Sequence, residues 1–186
     1  MFINVITKIS TFYYRLFYKI ISLFCKITFV ISDSHSAINP AILDRIKNIN
    51  NSVVIHCGDW SAPEDYYEMK KLCEKLYTVH GNTETYEMEK ILPNELDTEI
   101  NGIKIHVIHE LDSYKKYLGL SGGREYIVLH GHTHQPSKKK NKSVYFFNPG
   151  SCGPKRFSNV PASYGVIYFF KKYFIFSVHK IWFYYE

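Results

Sequence analysis

The chain has 186 residues, 46% of them hydrophobic and 17% aromatic, which suffices for one folded domain and excludes a disordered chain. Its formal net charge of +6 comes from two basic groups, at residues 8–26 and 138–142. Outside these groups acidic side chains slightly outnumber basic ones, which excludes a general affinity for nucleic acid. The four scattered cysteines include no CxxC pair and indicate a reducing, cytoplasmic compartment without a disulfide framework.

Residues 1–25 are predicted to be an N-terminal extension. Lys8, Arg15 and Lys19 would form a basic stripe on an otherwise apolar helix, a pattern typical of an amphipathic helix at a membrane surface. The longest uncharged run is shorter than the ~20 residues of a spanning helix, and no small-residue cleavage site follows it. A loosely packed extension and a misplaced start codon remain alternatives to peripheral membrane contact.

The first half of the chain repeats a strand, a loop and a helix three times. Each predicted strand is short, rich in β-forming residues and followed by polar side chains, as in α/β proteins that bind ligands outside the carboxyl ends of their strands. Asn39 and Ser61 are the predicted helix caps. The predicted strands are 26–32, 52–56 and 76–80, and the predicted helices run from Pro40 to about 48 and from Pro63 to about Lys75.

The second half is predicted to be richer in strands. Asn101-Gly102 is a strong hairpin signal, and Lys171-Lys172 is a second predicted turn. The lysines of 138–142 are predicted to lie in a solvated loop at a hairpin tip. No repeat or linker divides residues 26–186, which are predicted to form one domain. The predicted elements are strands 97–100, 103–109, 125–130, 143–147, 163–170 and 173–181, and a helix near 111–120.

Five polar clusters each follow a predicted strand. Any one of them could be an ordinary turn, but five strands that end in possible ligands at the same edge of a sheet predict a metal site. Carboxylate, amide and imidazole groups suit borderline divalent ions such as Mn, Fe, Zn or Co. The predicted ligands are Asp33, His35, Asp59, Asn82, His109, His132 and His134.

The motifs DSH, GDW, GNTE, IHE and GHTHQP, followed by NPGS, resemble those of the calcineurin-like metallophosphoesterases. The similarity is greatest to the YfcE-type phosphodiesterases, which are relatives of the retromer subunit Vps29. It extends from about residue 26 to 170, and GHTH followed by NPGS is its most specific part. The resemblance implies a four-layer αββα sandwich, in which helices flank two mixed sheets, within the α/β (α+β) class.

The resemblance also implies a role for each matching residue. Asp59 would bridge two divalent ions, with Mn as the expected metal and Fe, Zn, Co or Ni as alternatives. Glu84 would support the site from behind by orienting an imidazole, although a carboxylate at a helix N-terminus is an equally good interpretation. Asp33, His35, Asp59 and His134 would hold one ion, and Asp59, Asn82, His109 and His132 the other, with Asp59, Asn82 and His109 as the catalytic residues.

Two positions depart from the family pattern. The third motif is usually His-Gly-His, whereas this chain has His109-Glu110-Leu111, which places a carboxylate beside the site. Thr83 stands where many members of the superfamily have a histidine that assists the leaving group. The general acid is therefore unassigned, and substrates with good leaving groups are favoured.

Together these features predict a hydrolase that cleaves phosphodiester, or phosphomonoester, bonds by in-line attack of a metal-bridging hydroxide. Its substrate would be a small phosphate ester or a nucleotide. The alternative is a non-catalytic scaffold of the Vps29 kind, which binds other proteins. All seven ligand positions carry competent residues, and this favours catalysis. The sequence leaves the oligomeric state undetermined.

Overall fold

The computed structural model describes residues 13–35, 37–49, 52–119, 121–153, 160–171 and 173–181. Within these ranges no helix has the length and apolar character that crossing a membrane requires. The helices are α1 (13–21), α2 (Pro40–Lys47), α3 (Pro63–Leu72), α4 (Tyr86–Ile91) and α5 (Tyr114–Tyr117). The strands are β1 (Lys26–Ile31), β2 (Val53–His56), β3 (Lys75–Thr78), β4 (Glu95–Ile100), β5 (Ile103–Ile108), β6 (Tyr126–Leu129), β7 (Ser137–Asn141), β8 (Val144–Asn148), β9 (Ala162–Phe169) and β10 (Phe174–Ile181).

The strands form two mixed sheets. The first sheet has the order β10-β9-β1-β2-β3, and the second has the order β4-β5-β6-β8-β7. β1, β2 and β3 are parallel to one another, as are β5, β6 and β8, and the outer strands are antiparallel. The loops that follow each parallel set therefore leave the same edge of their sheet, where α/β proteins place their ligand sites.

The two sheets pack face to face over an apolar core. Val30, Ile55, Ile105 and Phe147 lie in this core and are almost fully buried. On the outer face of the first sheet, a second cluster includes residues of α1, α2, α3 and α4. On the outer face of the second sheet, Tyr117 of α5 packs in a third cluster. The predicted four-layer αββα sandwich is confirmed.

Several predicted elements have different bounds in the structure. The helix predicted to reach Lys75 ends at Leu72, because Lys75 already pairs with β2. Ser61 does not cap this helix: Ala62 is the N-cap residue and makes no side-chain cap hydrogen bond, whereas the Ser61 hydroxyl lies 2.8 Å from that of Thr83. The helix predicted near 111–120 is reduced to α5. The prediction for α2 is confirmed, including the Asn39 cap.

Two elements were missed by the sequence prediction. The lysine run of 138–142 is not simply a loop: Lys138–Lys140 lie in β7, an edge strand, and only Lys142 takes the left-handed turn conformation. Exposed lysines on an edge strand oppose pairing with other chains. The short helix α4 was also missed, although the Thr85 side chain caps it by accepting a hydrogen bond from the Met88 amide.

The extension 1–25 lies partly outside the described residues, which begin at residue 13. Its helix α1 packs on the outer face of the first sheet, where Tyr18 is 2% exposed. The Tyr18 hydroxyl is 3.2 Å from that of Tyr168 on β9, and its ring stacks near Phe29 of β1. The described part of the extension is therefore attached to the sheet through aromatic contacts.

Candidate metal centre

The loops after five parallel strands bring all seven predicted ligands together. β1, β2 and β3 are followed by the loops that carry Asp33, Asp59 and Asn82. The second sheet contributes His109 after β5 and the His132–His134 pair after β6. Backbone hydrogen bonds join these loops: the Asp33 amide donates to the Gly58 carbonyl, and the His35 amide donates to the Asp59 carbonyl.

Four side chains form the first group: Asp33, His35, Asp59 and His134. One ligand atom from each lies within 4.8 Å of the others. The Nε2 atoms of His35 and His134 are 3.1 Å apart, and His134 Nε2 is 3.4 Å from Asp33 Oδ1. Three of the four residues are buried and His35 is half-buried, so this group lies at the deep end of the site.

The second group shares Asp59 with the first. Asp59 Oδ2 lies 3.5 Å from His35 Nε2 of the first group and 3.4 Å from His109 Nε2 of the second. Asn82 Oδ1 lies 3.1 Å from His109 Nε2 and 3.1 Å from His132 Nδ1. Asn82 and His132 are exposed, so this group opens to solvent.

Backbone strain is concentrated in the predicted ligands. Eight non-glycine residues have positive φ in the described part of the chain, and five of them are predicted ligands. This left-handed conformation is uncommon for residues other than glycine, and such strain clusters at functional sites. The five are Asp33 (55°), His35 (45°), Asp59 (63°), His132 (67°) and His134 (58°).

The charges of the site fit bound cations. The carboxylates of Asp33 and Asp59 are 0% and 2% exposed, and their ligand oxygens lie within 4.8 Å of each other. Burial raises the pKa of Asp33 to about 6. Burial also opposes ionisation of Asp59. The hydrogen bond that Asp59 makes with His109, together with the charge of His109, outweighs burial and lowers the Asp59 pKa. Two close, buried carboxylates are costly to ionise, and divalent cations would offset that cost.

The orientation of His109 also suits a cation. Its Nδ1 lies 2.8 Å from the Cys57 carbonyl oxygen, which can only accept, so Nδ1–H is the donor. In the neutral imidazole, Nε2 therefore directs its lone pair toward Asp59 Oδ2 and Asn82 Oδ1. Burial lowers the pKa of His109, but hydrogen bonding to and the charge of Asp59 outweigh burial and raise it, so a proton on Nε2 is favoured in the metal-free protein. A divalent ion would displace that proton and bind the three electron-pair donors that converge there.

Glu84 supports the site in a different way from the one predicted. Its Oε1 accepts hydrogen bonds from the backbone amides of Asp59, at 2.9 Å, and Trp60, at 3.1 Å. Glu84 therefore holds the loop that presents Asp59, and the imidazole of His109 is oriented by the Cys57 carbonyl instead. These two hydrogen bonds hold the Asp59 backbone in its strained, left-handed conformation.

Replacing Glu84 by glutamine is expected to weaken metal binding by about 10- to 100-fold, the usual cost of losing a partner behind a metal ligand. Glutamine retains one acceptor oxygen but loses the negative charge that strengthens both hydrogen bonds. Calorimetric titration of metal-stripped protein with Mn²⁺ measures the effect. Glu89→Gln, an exposed change on α4, is the control, and equal affinities in both variants would contradict this role.

Three glycines lie against the predicted ligands. A Cβ on Gly58 would come within 2.7 Å of His109 Nδ1. A Cβ on Gly81 would overlap the Asp59 carboxylate, and one on Gly131 would overlap Ser32 Oγ and come within 2.8 Å of Asp33 Oδ2. The glycines of the motifs therefore give the ligand side chains room to converge.

Two residues of the NPGS motif support the site through contacts that the sequence did not predict. The Asn148 side-chain amide donates to the Gly131 carbonyl at 2.7 Å and to Thr133 Oγ1 at 3.1 Å. The Ser151 hydroxyl donates to the Asp33 carbonyl at 2.8 Å. NPGS thus holds two of the ligand loops in place. The sequence signal for this supporting role was that NPGS follows GHTH after a short stretch of chain.

Glu110 lies at the open end of the site. Its Oε1 is 3.6 Å from His132 Nε2, and its side chain is 59% exposed. Glu110 therefore contributes negative charge where a substrate would enter. His106 lies away from this group of residues, and its Nδ1 is 3.0 Å from Asp97 Oδ1. Cys152 is fully buried, and burial raises its thiol pKa, as expected for an inert cysteine.

Comparison with known proteins agrees with the fold and the site. Residues 27–171 match the calcineurin-like phosphoesterase superfamily domain. A probable metallophosphoesterase of Methanocaldococcus jannaschii is 33% identical over 134 residues, which cover 66% of this chain and 66% of that protein. A phosphodiesterase of the same organism is 25% identical over 137 residues, covering 66% of this chain and 82% of that protein. The structure of vacuolar protein sorting 29 from Cryptosporidium parvum superposes with a TM-score of 0.69 at 17% identity, covering 85% of this chain and 92% of that one.

The chain belongs to the calcineurin-like phosphoesterase superfamily, since the matched domain covers most of its length. The predicted class, a metal-dependent phosphoesterase, is confirmed by this membership and by the metallophosphoesterase relatives. The likeness to vacuolar protein sorting 29 is a likeness of fold.

Proposed function

We propose that this protein is a phosphodiesterase that uses two divalent ions, with Mn²⁺ the first candidate and Fe, Zn, Co or Ni as alternatives. The observation that carries the proposal is that Asp59 belongs to both groups of ligands, one deep and one open to solvent. A shared carboxylate is the feature that two-metal sites require. The proposed substrates are small phosphodiesters, including nucleotides, as the name of the M. jannaschii phosphodiesterase suggests.

Different residues of the site have different roles in the proposed reaction. Bound ions would neutralise the phosphoryl charge and lower the pKa of the attacking water. Asp33 and His134 are buried and His35 is half-buried, so one side of the site is largely shielded from solvent, whereas the exposed Asn82 and His132 leave the other side open to substrate. Ser61 and Thr83 at the entrance carry only hydroxyl groups, which are weak acids, so esters with good leaving groups are favoured.

Hydrolysis of a chromogenic phosphodiester and its matching monoester tests the proposal. Metal-stripped protein is expected to be inactive and to regain diesterase activity when Mn²⁺ is added. Metal content measured alongside should approach two ions per chain. Activity that persists without metal, or absence of activity with every divalent ion tested, would contradict the proposal.

Glu110→Gln is expected to raise monoesterase activity relative to diesterase activity by about two- to fivefold. A monoester carries more negative charge than a diester, and one extra unit charge about 8 Å from an exposed carboxylate costs about 0.5 kcal/mol in water. The measurement is the ratio of kcat/KM values for the two substrates in each protein. Glu99→Gln on β4, also exposed, is the control, and an unchanged ratio in Glu110→Gln would exclude this role.

A non-catalytic interaction scaffold is the second candidate function. The observation that favours it is the shared fold with vacuolar protein sorting 29. The two candidates differ in what the ligands do, because a scaffold can bind metal without turnover. Stoichiometric metal binding without hydrolysis of any ester would favour the scaffold.

The proposed setting of the reaction is the cytoplasm, as the unpaired cysteines suggest. All four cysteines are buried, so they are protected from oxidation and from metal exchange. Contact with a membrane through residues 1–25 is a separate proposal, since it concerns a surface away from the metal centre.

A further inference from the structure

Helix α1 has an inner and an outer face that differ in their exposure. Its inner face packs on the sheet through Tyr18, which is 2% exposed. Its outer face is apolar and points into solvent, with Leu16, Phe17 and Ile20 exposed at 42%, 52% and 50%. The spacing of these three residues places them in one stripe along the helix. A surface stripe of this kind is typical of an interaction site.

The stripe continues past the end of the helix. Leu23 and Phe24, in the turn between α1 and β1, are 78% and 72% exposed. They are the most exposed apolar side chains of this segment, and they border a cleft of about 750 Å³. Bulky apolar side chains at such exposure are costly in water. Burying them against another apolar phase would therefore be favourable.

The cleft beside this stripe is basic. Four cationic side chains line it: Arg15, Lys19, Lys26 and Lys171. All four are exposed, and among the acidic residues only Glu74 lines the cleft within the described part of the chain. A cationic cleft that adjoins exposed aromatic and aliphatic side chains is complementary to a surface that is anionic at its boundary and apolar beneath.

The cleft and the metal centre lie at opposite ends of β1. Lys26, in the cleft, begins this strand, and Asp33 follows its other end. At ~3.3 Å per residue, the six residues of β1 separate the two sites by about 20 Å. The cleft is therefore a distinct surface, and its role is independent of the phosphodiesterase proposal.

We propose that the apolar stripe of α1 and the adjoining basic cleft form a docking surface for an anionic phospholipid bilayer. Leu23 and Phe24 enter the headgroup region, and the four cations contact lipid phosphates. A second copy of this chain is a poorer occupant, because pairing two such surfaces would bring like charges together. The metal centre, at the far end of β1, stays in the aqueous phase and acts on soluble substrates.

Co-sedimentation with vesicles tests this proposal on the full-length protein. Binding is expected to vesicles of phosphatidylcholine with phosphatidylglycerol, to weaken as salt rises, and to be at least tenfold weaker with phosphatidylcholine alone. The double variants Phe17→Ser/Ile20→Ser and Lys19→Glu/Lys26→Glu should each lose at least tenfold in partitioning. Ile91→Ser on α4, where Ile91 is 48% exposed, is the control for a general loss of surface hydrophobicity.

The outcomes distinguish membrane docking from misfolding and from self-association. Each variant is expected to unfold at the wild-type temperature, since all the altered side chains are exposed. That result would show that a loss of vesicle binding is not caused by a loss of folding. Asp59→Asn should bind vesicles like the wild type, so failure of the enzymatic proposal leaves this test intact. Equal binding by all variants, no binding by the wild type, or a dimer in light scattering that Phe17→Ser/Ile20→Ser dissociates would each overturn the proposal.

Discussion

Asp59→Asn is expected to lower diesterase kcat by at least about 1,000-fold, equivalent to about 4 kcal/mol of transition-state stabilisation. Asp59 Oδ1 accepts a hydrogen bond from the Thr83 amide at 3.0 Å, and asparagine can keep that bond. The other oxygen, Oδ2, faces His35 at 3.5 Å and His109 at 3.4 Å. In the variant an NH₂ group replaces it, and this group has no lone pair to offer an ion.

The assay combines steady-state diester hydrolysis with metal analysis of the purified protein. The variant should hold fewer ions than the wild type. Its metal-free form should still unfold cooperatively, at a somewhat lower temperature, because the side chain is nearly isosteric but its interaction with His109 is weakened. Asp44→Asn, an exposed change on α2, is the matched control. Retention of full activity by Asp59→Asn would refute a mechanism in which this carboxylate bridges two ions.

Gly81→Ala is expected to reduce activity by about 100-fold or more although it removes no charged or metal-binding group. The φ angle of Gly81 is outside the left-handed region, so alanine is compatible with the backbone. Its Cβ, however, would overlap the Asp59 carboxylate and come within 2.6 Å of the Asp59 backbone nitrogen. Displacement of a catalytic group by about 1 Å costs on the order of 100-fold in rate.

The matched control for this glycine is Gly119→Ala. A Cβ at Gly119 would meet nothing within 4 Å, so activity and unfolding temperature should stay at wild-type values. Gly81→Ala should also destabilise the metal-free protein by about 1–3 kcal/mol through overpacking, which denaturant titration measures. Wild-type kinetics in Gly81→Ala would show that the loop moves aside freely and that close packing against Asp59 is dispensable.

The sequence was sufficient to predict which side chains would lie together at the candidate site, because each of them follows a strand. Hydrophobic runs located the parallel strands, and the polar residues after them had to gather at one edge, as Asp33 and Asp59 do. Helix α2 was predictable from its Asn39 cap and the following proline. These signals are local, so they can be recognised in a single sequence without an alignment.

Features that depend on tertiary contacts were not predictable in the same way. The lysines of β7 look like a loop by composition, and they form a strand because β8 offers them a partner. Glu84 was predicted to orient an imidazole, but only the folded loop shows that its partners include the backbone amides of Asp59 and Trp60. Likewise, nothing local in Asn148 indicates that it holds the Gly131 loop.

The dispersal of the ligands along the chain has a thermodynamic consequence. Residues between 33 and 134 meet only when both sheets have formed, so the unfolded chain presents no comparable site. An ion that binds only the folded state stabilises it by mass action, by about 4 kcal/mol at a free concentration 1,000 times its Kd. That stabilisation would be a large share of the roughly 5–15 kcal/mol by which ordinary domains are stable. The population of folded protein is thereby coupled to metal supply, and chelation would shorten its lifetime in the cell as well as stop its chemistry.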